Sequence, residues 1–172
     1  MSELITSQRL ILRPLLKTDV DSIFVLRSSP IVNKYIARDL EIDKNDAMAF
    51  IEKILGVENK GNEYWVIQLK GNQTCIGTIC LWNFSEDRKM AEVGYDLLPE
   101  FHKKGIMHEA LQSILSYGFH NLKLDVIEAY THKGNTASIN LLNKNDFVFQ
   151  PGMKDEGFPD NIIFKLIKKP LI

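Results

Sequence analysis

The chain has 172 residues, of which 45% are hydrophobic and 25% are charged, and its formal net charge is −1. This size and balance are typical of a globular protein and argue against a low-complexity or disordered polypeptide. The small net charge excludes a strong overall attraction to nucleic acid or to an anionic membrane, and no apolar stretch approaches the roughly 18 residues of a membrane span.

Two helices are predicted in the first third of the chain, after one strand. Residues 9–14 form a short apolar run that ends at Pro14, because proline cannot donate to a strand ladder. Thr18 is a candidate N-cap for a helix that stops near residues 28–30, and Asp43 is a candidate N-cap for a second helix. The second helix has apolar residues at i, i+3, i+4, i+7 and i+8, which form one face.

The middle of the chain changes to an apolar period of two, which is typical of strands. Residues 64–69 and 75–82 predict a hairpin around a turn at residues 71–72, and residues 90–98 predict a third strand. Three antiparallel strands in a meander are therefore expected.

The last third of the chain completes a mixed α/β layer. Its apolar patterns predict, in order, a helix over residues 105–119, a strand over 125–131, a short helix over 135–144, and strands over 147–149 and 161–167. These elements make about seven strands in a single domain over residues 1–172. Polar residues interrupt the first 16 positions and break any signal-peptide core, so a cytoplasmic protein is expected.

The segment from residue 99 to residue 111 leads from a strand end through a basic loop into a helix. Backbone N–H groups at a helix start have no intrahelical partner, and with the helix dipole they favour a phosphate. Lys103 and Lys104 add positive charge, and Gly105 lets the backbone approach a phosphate closely. The Walker pattern G-x-x-x-x-G-K-[ST] is absent. On these residues alone, an anion site and an ordinary strand-to-helix turn stay equally open.

An ordered set of motifs closely resembles the core of the GNAT N-acetyltransferases. The set is Ala91-Glu92-Val93-Gly94-Tyr95, Leu97, Pro99, Lys104-Gly105-Ile106 and Glu109-Ala110-Leu111. Residues 8–14, residues 76–79 and the pattern Asn135-x-Ala137-Ser138-x-x-Leu141-Leu142 are similar to the branch that acetylates the N-termini of ribosomal proteins. The resemblance implies a mixed, mostly antiparallel, twisted sheet with splayed middle strands, flanked by helices.

The resemblance also implies that the chain binds acetyl-CoA. In the family, the pyrophosphate rests on a loop with the pattern Q/R-x-x-G-x-G/A, which corresponds here to residues 102–107. His102 and Met107 depart from that pattern, so the phosphates are expected to sit somewhat differently. The implied cofactor contacts are His102, Lys103, Lys104, Gly105, Ile106, Met107, His108 and Asn135 with Ser138, and the backbone of Leu97 and Leu98 for the pantetheine arm.

Direct acetyl transfer needs a neutral amine, an acid for the leaving thiolate and donors for the oxyanion. Deprotonation at pH 7 costs about 1.4 kcal/mol for an α-amine of pKa near 8 and about 4.6 kcal/mol for a lysine. A carboxylate acting through water suffices for the α-amine. Glu92 is the candidate base, because alternation places it on one strand face with Gly94 and Asp96. The alternative is a solvated strand glutamate.

The acid for the leaving thiolate differs from the usual family residue, because Leu142 stands where many GNAT enzymes have a tyrosine. The branch that the chain resembles has an Asn-x-x-Ser pattern, seen here as Asn135 and Ser138. The resemblance implies that the Ser138 hydroxyl protonates the thiolate or bonds the cofactor sulfur. The alternative is that both residues only cap their helix.

The resemblance also implies where the acceptor amine binds. The resemblance places Asn33, Tyr35, Trp82 and Phe84 around it, and a plain core role for the aromatic residues is an equal alternative. A peptide or protein N-terminal α-amine is expected as acceptor, with a polyamine, an aminoglycoside or another small amine second.

The sequence also bears on metal, nucleic-acid and membrane partners and on rival functions. No metal site is expected, since the four histidines show neither an i, i+4 pair nor a cysteine partner. We expect no nucleic-acid or membrane partner, whereas an exposed sheet edge could pair two subunits. The altered loop and the missing tyrosine keep two rivals open, namely a non-catalytic acyl-CoA-binding module and a nucleotide-binding regulator.

Overall fold

One eight-stranded sheet organises the part of the chain that the computed structural model describes, which is residues 2–36, 38–40, 43–56, 59 and 61–169. The strands are β1 (Ile5–Thr6), β2 (Leu10–Pro14), β3 (Glu63–Leu69), β4 (Gly77–Trp82), β5 (Met90–Leu97), β6 (Val126–His132), β7 (Val148–Phe149) and β8 (Asn161–Ile167). The helices are α1 (Val20–Ser28), α2 (Lys44–Leu55), α3 (Ile106–His120) and α4 (Thr136–Lys144). The strand order is β1-β2-β3-β4-β5-β6-β8-β7, and only the β5–β6 pair among these is parallel.

The predicted fold class is confirmed, with one strand more than expected. Strand β1 has two residues and pairs with β2 through Ile5 and Leu12. A run of two residues is too short to show a period, so the sequence gives no signal for it. The meander β3-β4-β5 is confirmed.

Of the two predicted helix N-caps, the one for α2 is confirmed and the one for α1 is wrong. Asp43 caps α2, because its side chain accepts hydrogen bonds from the N–H groups of Asn45 and Asp46. The prediction of Thr18 as the cap of α1 is wrong, since Lys17–Asp19 forms a 3-10 turn and Asp19 stands at the cap position. The Asp19 carboxylate accepts from the N–H of Leu16 at 2.8 Å and pairs with Arg13 at 2.6 Å, which ties the turn to β2.

The two sheet faces bury different helices. Helix α3 packs on one face through Ile106, Ala110, Leu111 and Ile114, together with core residues from several strands. Helices α1 and α2 pack on the other face through Ile23, Leu26, Ala47 and Ile51. Side chains of β5 alternate between the faces, so Ala91, Val93 and Leu97 join the α3 core and Glu92, Gly94 and Asp96 turn toward the α1–α2 side.

A gap opens between the two parallel strands at the centre of the sheet. The ladder between β5 and β6 has three residue pairs and ends with Glu92 opposite Glu128. Strand β5 continues to Leu97 along β4, and β6 continues to His132 along β8. The two middle strands therefore splay apart beyond Glu92, as the resemblance implied.

Candidate active site

One backbone edge of β5 faces the gap. The N–H of Leu98 donates to the carbonyl of Ile76, next to β4, at 2.9 Å. At this end of β5, the backbone groups of one residue therefore point toward β4 and those of the next residue point toward the open side. Because backbone groups alternate in direction along a strand, those of Val93, Tyr95 and Leu97 point into the gap.

The two predicted pantetheine contacts, Leu97 and Leu98, have different backbone surroundings. Leu97 faces the gap, and its carbonyl lies 2.9 Å from His102 Nε2. The Leu98 carbonyl accepts from the N–H of Phe101 at 3.0 Å, so both backbone groups of Leu98 already have partners within the chain. Val93 and Tyr95 also face the gap, and pairing of Leu97 or Leu98 with a pantetheine arm stays a prediction.

The loop between β5 and α3 has the backbone of an anion cradle. Lys103 and Gly105 adopt left-handed conformations with φ of 59° and 71°. Gly105 stands at the cap position of α3 without a side-chain cap, and the first intrahelical bond runs from the Glu109 N–H to the Gly105 carbonyl. The N–H groups of residues 106–108 therefore have no intrahelical partner and mark the positive end of the helix dipole.

The side chains of the predicted phosphate loop have different environments. The side chains of His102, Lys103 and Lys104 are exposed. Ile106 is buried in the α3 core, so only its backbone can serve a ligand. His108 is half-buried, and its Nδ1 has no hydrogen-bond partner within the described residues. The arrangement fits a phosphate group, because free amides and two lysines converge on one loop.

A carboxylate in the first turn of α3 holds this loop against the N-terminal hairpin. Glu109 Oε1 accepts from Ser7 Oγ and from the Arg9 N–H, both at 2.7 Å, and Glu109 Oε2 accepts from Arg9 Nε at 2.6 Å. Arg9 Nη1 also donates to the carbonyl of Lys104 at 3.0 Å. Burial opposes ionisation of Glu109, but the bonds from Ser7 and Arg9 outweigh it and lower the pKa of this carboxyl. Sequence reasoning gave no role to this clamp.

We expect Glu109→Gln to lower the free energy of unfolding at pH 7 by about 1–2 kcal/mol, because it removes a charge-assisted pair with a half-exposed arginine. The lowered pKa means that the stabilisation is present above about pH 4.3, the pKa of a free glutamate, and is lost as pH falls through the folded-state pKa. Chemical denaturation at pH 7 and pH 3 checks both statements. Glu100→Gln, at an exposed glutamate of the preceding turn, should change stability by less than about 0.5 kcal/mol. An equal loss for Glu109→Gln at both pH values would contradict the electrostatic account.

Glu92 is a buried carboxylate at the point where the strands part. Its relative exposure is 8%, which does not fit the alternative of a solvated strand glutamate. Asn83 Nδ2 donates to Glu92 Oε1 at 2.5 Å. Burial raises the pKa of Glu92, the Asn83 bond opposes this, and the negative charges of Glu128 and Asp155 raise it further, so that the net pKa lies above the usual value. A carboxylate with a raised pKa is a better proton acceptor near neutral pH.

Glu128 is a second buried carboxylate beside Glu92. It stands opposite Glu92 in the last β5–β6 pair and is 3% exposed. Lys165 Nζ lies 2.7 Å from Glu128 Oε1, and the Tyr130 hydroxyl donates to Glu128 Oε2 at 3.1 Å. Glu128 thus has a cationic partner, Lys165, whereas the hydrogen-bond partner of Glu92 is the neutral amide of Asn83.

The segment after α1 crosses the open end of the gap. Arg38 Nη2 pairs with Asp96 on β5 at 3.2 Å. The Tyr35 ring stacks on His132, at the end of β6, with ring centroids 5.4 Å apart. This segment therefore contacts both splayed strands on the face that carries Glu92.

Asn33 and Tyr35 were predicted together as acceptor-binding residues, and the structure gives them different surroundings. The Asn33 amide donates to three backbone carbonyls, those of Leu26, Arg27 and Ser29, and its oxygen accepts from Arg38 Nε at 2.5 Å. Asn33 therefore holds the segment in place through its own hydrogen bonds, whereas the half-buried Tyr35 borders the gap. Contact of either residue with an acceptor stays a prediction.

Trp82 and Phe84 also lie apart. Trp82 is directly opposite Glu92 in the β4–β5 ladder and is 46% exposed, so an indole surface lies next to the carboxylate. Phe84 packs against the α3 core, with the Arg88 guanidinium 3.9 Å from its ring centroid. The structure thus brings Trp82 and Tyr35 to the face of Glu92, while Phe84 contributes to the core.

The predicted acid, Ser138, is paired with a tyrosine that sequence reasoning left without a role. Asn135 Oδ1 accepts the Ser138 N–H at 3.2 Å, which confirms the helix cap. Ser138 is 8% exposed, and its hydroxyl lies 2.8 Å from the hydroxyl of Tyr95. Burial raises the pKa of Tyr95 to about 12, although the bond to Ser138 opposes the rise. Leu142 is fully buried in the core.

Within the described ranges, no group of three or more His, Cys, Asp or Glu side chains could hold a metal ion. The described helices include none that is both long and apolar enough to cross a membrane.

Comparison with known proteins gives a consistent result. A family model for the acetyltransferase (GNAT) domain matches residues 9–148. The chain is 34% identical over 155 residues to the uncharacterized N-acetyltransferase p20 of Bacillus licheniformis, with 89% of this chain and 86% of that protein covered.

Solved structures with the same fold have lower identity. The acetyl transferase of Salmonella typhimurium that modifies the N-terminal serine of ribosomal protein L7/L12 superposes with a TM-score of 0.83 at 19% identity, covering 97% of this chain and 100% of the other. RimL, a ribosomal L7/L12 alpha-N-protein acetyltransferase in complex with coenzyme A, superposes with a TM-score of 0.82 at 18% identity, with coverages of 96% and 98%. At these identities the structural likeness shows the shared fold.

Proposed function

The chain belongs to the GNAT acetyltransferase family and is an N-acetyltransferase, and we propose that it transfers the acetyl group of acetyl-CoA directly to the N-terminal α-amine of a peptide or protein. Members of this family use acetyl-CoA. The observation that carries the proposal is the position of Glu92. It is buried at the point where β5 and β6 part, and it lies directly opposite Trp82 on the neighbouring strand β4. A base, an open backbone edge and an anion cradle then surround one gap.

In this proposal the loop before α3 binds the diphosphate of acetyl-CoA. The free N–H groups of residues 106–108 donate to phosphate oxygens, and Lys103 and Lys104 add charge. The pantetheine arm pairs with the gap-facing backbone of Leu97 and of the residues before it on β5. His102 orients this edge through its bond to the Leu97 carbonyl.

The proposed chemistry is a direct attack of the amine on the thioester carbon. Water carries the first proton of the ammonium group to Glu92, which passes it on to solvent. The neutral amine then forms the C–N bond of a tetrahedral adduct, the adduct nitrogen loses its second proton through water to Glu92, and the C–S bond breaks. The raised pKa of Glu92 suits this role, because the carboxylate keeps a higher proton affinity than an exposed glutamate. An α-amine needs about 3 kcal/mol less for deprotonation at pH 7 than a lysine, which favours the α-amine as acceptor.

The charges on the acceptor side also favour an acceptor with one positive group. Asp96 is paired with Arg38, and Glu128 is paired with Lys165. Two carboxylates that could bind the additional ammonium groups of a polyamine therefore already have cationic partners within the chain. The solved protein of the same fold that modifies an N-terminal serine supports the same acceptor class.

Thiol release from acetyl-CoA tests the proposal. The panel contains short peptides with free N-terminal Ser, Ala or Met, the same peptides with a blocked N-terminus and an internal lysine, spermidine, and an aminoglycoside. Turnover with free N-termini and none with blocked peptides is expected. Turnover restricted to spermidine or the aminoglycoside would overturn the acceptor assignment, and tight coenzyme A binding without any turnover would favour the acyl-CoA-binding module. ATP that competes with coenzyme A at similar affinity would favour the nucleotide-binding regulator.

We expect Glu128→Gln to move the acidic limb of the kcat/KM profile to lower pH. The charge of Glu128 raises the pKa of Glu92, and its removal also leaves Lys165 without its partner, so both effects favour ionised Glu92. The acceptor amine is the same in both profiles, so its own titration cancels in the comparison. Glu86→Gln, at an exposed glutamate between β4 and β5, serves as the control and should leave the limb in place. A limb that does not move in Glu128→Gln would mean that Glu92 is not the titrating base.

A further inference from the structure

A hydrogen bond between two hydroxyl groups connects the two sides of the gap. Tyr95 lies on β5, beyond the last β5–β6 pair at Glu92. Ser138 lies on α4, which follows β6 in the chain. Their hydroxyl oxygens are 2.8 Å apart, and either could be the donor. The bond therefore joins the strand that lines one side of the gap to the helix that belongs to the other side.

The hydroxyl pair and the base lie on opposite faces of the sheet. Glu92 points to the α1–α2 side, and alternation along β5 places the Tyr95 side chain on the α3 side, where it packs against the core. A thioester held in the gap would thus meet the amine from the Glu92 face and would release its sulfur toward Ser138. This arrangement puts the proton acceptor and the hydrogen-bond donor for sulfur on different sides of the gap, which is compatible with direct transfer.

We propose that Tyr95 is the positioning residue for Ser138 in acetyl transfer, with the phenol donating to Ser138 Oγ so that the serine O–H turns toward the leaving sulfur. This inference rests on the proposed function. When the tetrahedral adduct collapses, the C–S bond breaks and its electron pair stays on sulfur, where the Ser138 O–H donates to the new thiolate. Tyr95 and Ser138 both keep their protons. The second proton of the nitrogen leaves through water to Glu92, which has already passed the first to solvent, and the thiolate takes a proton from solvent after release.

The environment of Tyr95 suits a fixed donor. Burial raises its pKa to about 12, so the phenol stays protonated throughout the neutral range. A hydroxyl that accepts one hydrogen bond becomes a stronger donor in the next, because hydrogen bonds in a chain polarise one another. The buried Leu142 fills the position where many family members carry a tyrosine. In this chain the tyrosine hydroxyl near the leaving group is that of Tyr95 on β5, and in the proposal Ser138 lies between this hydroxyl and the sulfur.

The test compares Tyr95→Phe and Ser138→Ala, singly and together, with two acetyl donors. With acetyl-CoA, each single variant should lose roughly 10-fold in kcat and less than about twofold in KM for acetyl-CoA, since a hydrogen bond to a charged acceptor is lost. The double variant should lose little more than Ser138→Ala, because the tyrosine acts through the serine. With the acetyl thioester of 4-nitrothiophenol, whose thiolate needs little stabilisation, all three losses should shrink to about twofold.

Tyr117→Phe is the matched control, because it removes the hydroxyl of another buried tyrosine, on α3. Its kcat should equal that of the wild-type chain. The inference is overturned if Tyr95→Phe keeps full kcat, if the two losses multiply in the double variant, or if the activated thioester shows the same losses as acetyl-CoA. If Tyr95→Phe does not fold, Ser138→Ala decides alone, and a loss that persists with the activated donor overturns the inference. Absence of turnover in the wild-type chain with every amine is a separate result, which overturns the proposed function itself.

Discussion

Replacing Glu92 with glutamine is expected to lower kcat/KM for a peptide N-terminus by roughly 10²–10⁴-fold at pH 7, the usual contribution of a general base. Glutamine keeps the shape of the side chain and can accept the Asn83 hydrogen bond, but it cannot take a proton from water. The loss should shrink above about pH 9, because an α-amine of pKa near 8 is then mostly neutral without help. Initial rates between pH 6 and pH 10 measure both effects.

The Tm of Glu92→Gln shows whether its loss of activity is catalytic or structural. The folded-state pKa of Glu92 lies above the unfolded value, so folding disfavours the ionised form at neutral pH. Glutamine removes this unfavourable term, and the Tm of Glu92→Gln should equal or exceed that of the wild-type chain. A low activity that is constant with pH and accompanied by a lower Tm would instead assign Glu92 to the fold.

Local pattern was sufficient for most elements of this chain. Strand β8 has the predicted bounds, and α3 is displaced by one residue from its predicted range. In both elements the apolar residues recur with the period of the element, and the same residues pack against the core. Thr18 failed as a cap because Asp19 bonds Arg13 on β2, and a contact between a helix start and a separate strand has no local signal.

The candidate site depends more strongly on pairings that sequence does not encode locally. Glu92 was identified from alternation and resemblance, but its raised pKa results first from its burial and then from the charge of Glu128, which lies opposite it on β6, and helix α3 separates β6 from β5 in the chain. The Tyr95–Ser138 bond has the same origin, since it joins residues 43 positions apart. Periodicity tells which face a side chain occupies, and only the strand register tells which side chains meet there.

The phosphate cradle makes the second prediction with a large effect. Gly105→Ala is expected to weaken coenzyme A binding by roughly 10- to 100-fold, measured as Kd by calorimetry, because alanine disfavours the left-handed conformation by about 1–2 kcal/mol. Space is not the obstacle, since a Cβ at Gly105 would lie 3.5 Å from Arg9 Nη2, an ordinary contact. Relief of the backbone strain turns the peptide N–H at the start of α3 away from the phosphate, and a hydrogen bond to a charged acceptor worth about 1.5–3 kcal/mol is lost.

Gly71→Ala isolates the effect on binding from the effect on the backbone. Gly71 has a φ of 80° in the turn between β3 and β4, and a Cβ there would meet nothing within 4 Å. The two variants should therefore lose similar stability, while the Kd for coenzyme A changes only in Gly105→Ala. Gly105→Asn should recover part of the affinity, because asparagine tolerates the left-handed conformation better than alanine. Equal Kd values for Gly105→Ala and Gly71→Ala would mean that the free amides of residues 106–108 do not hold the diphosphate.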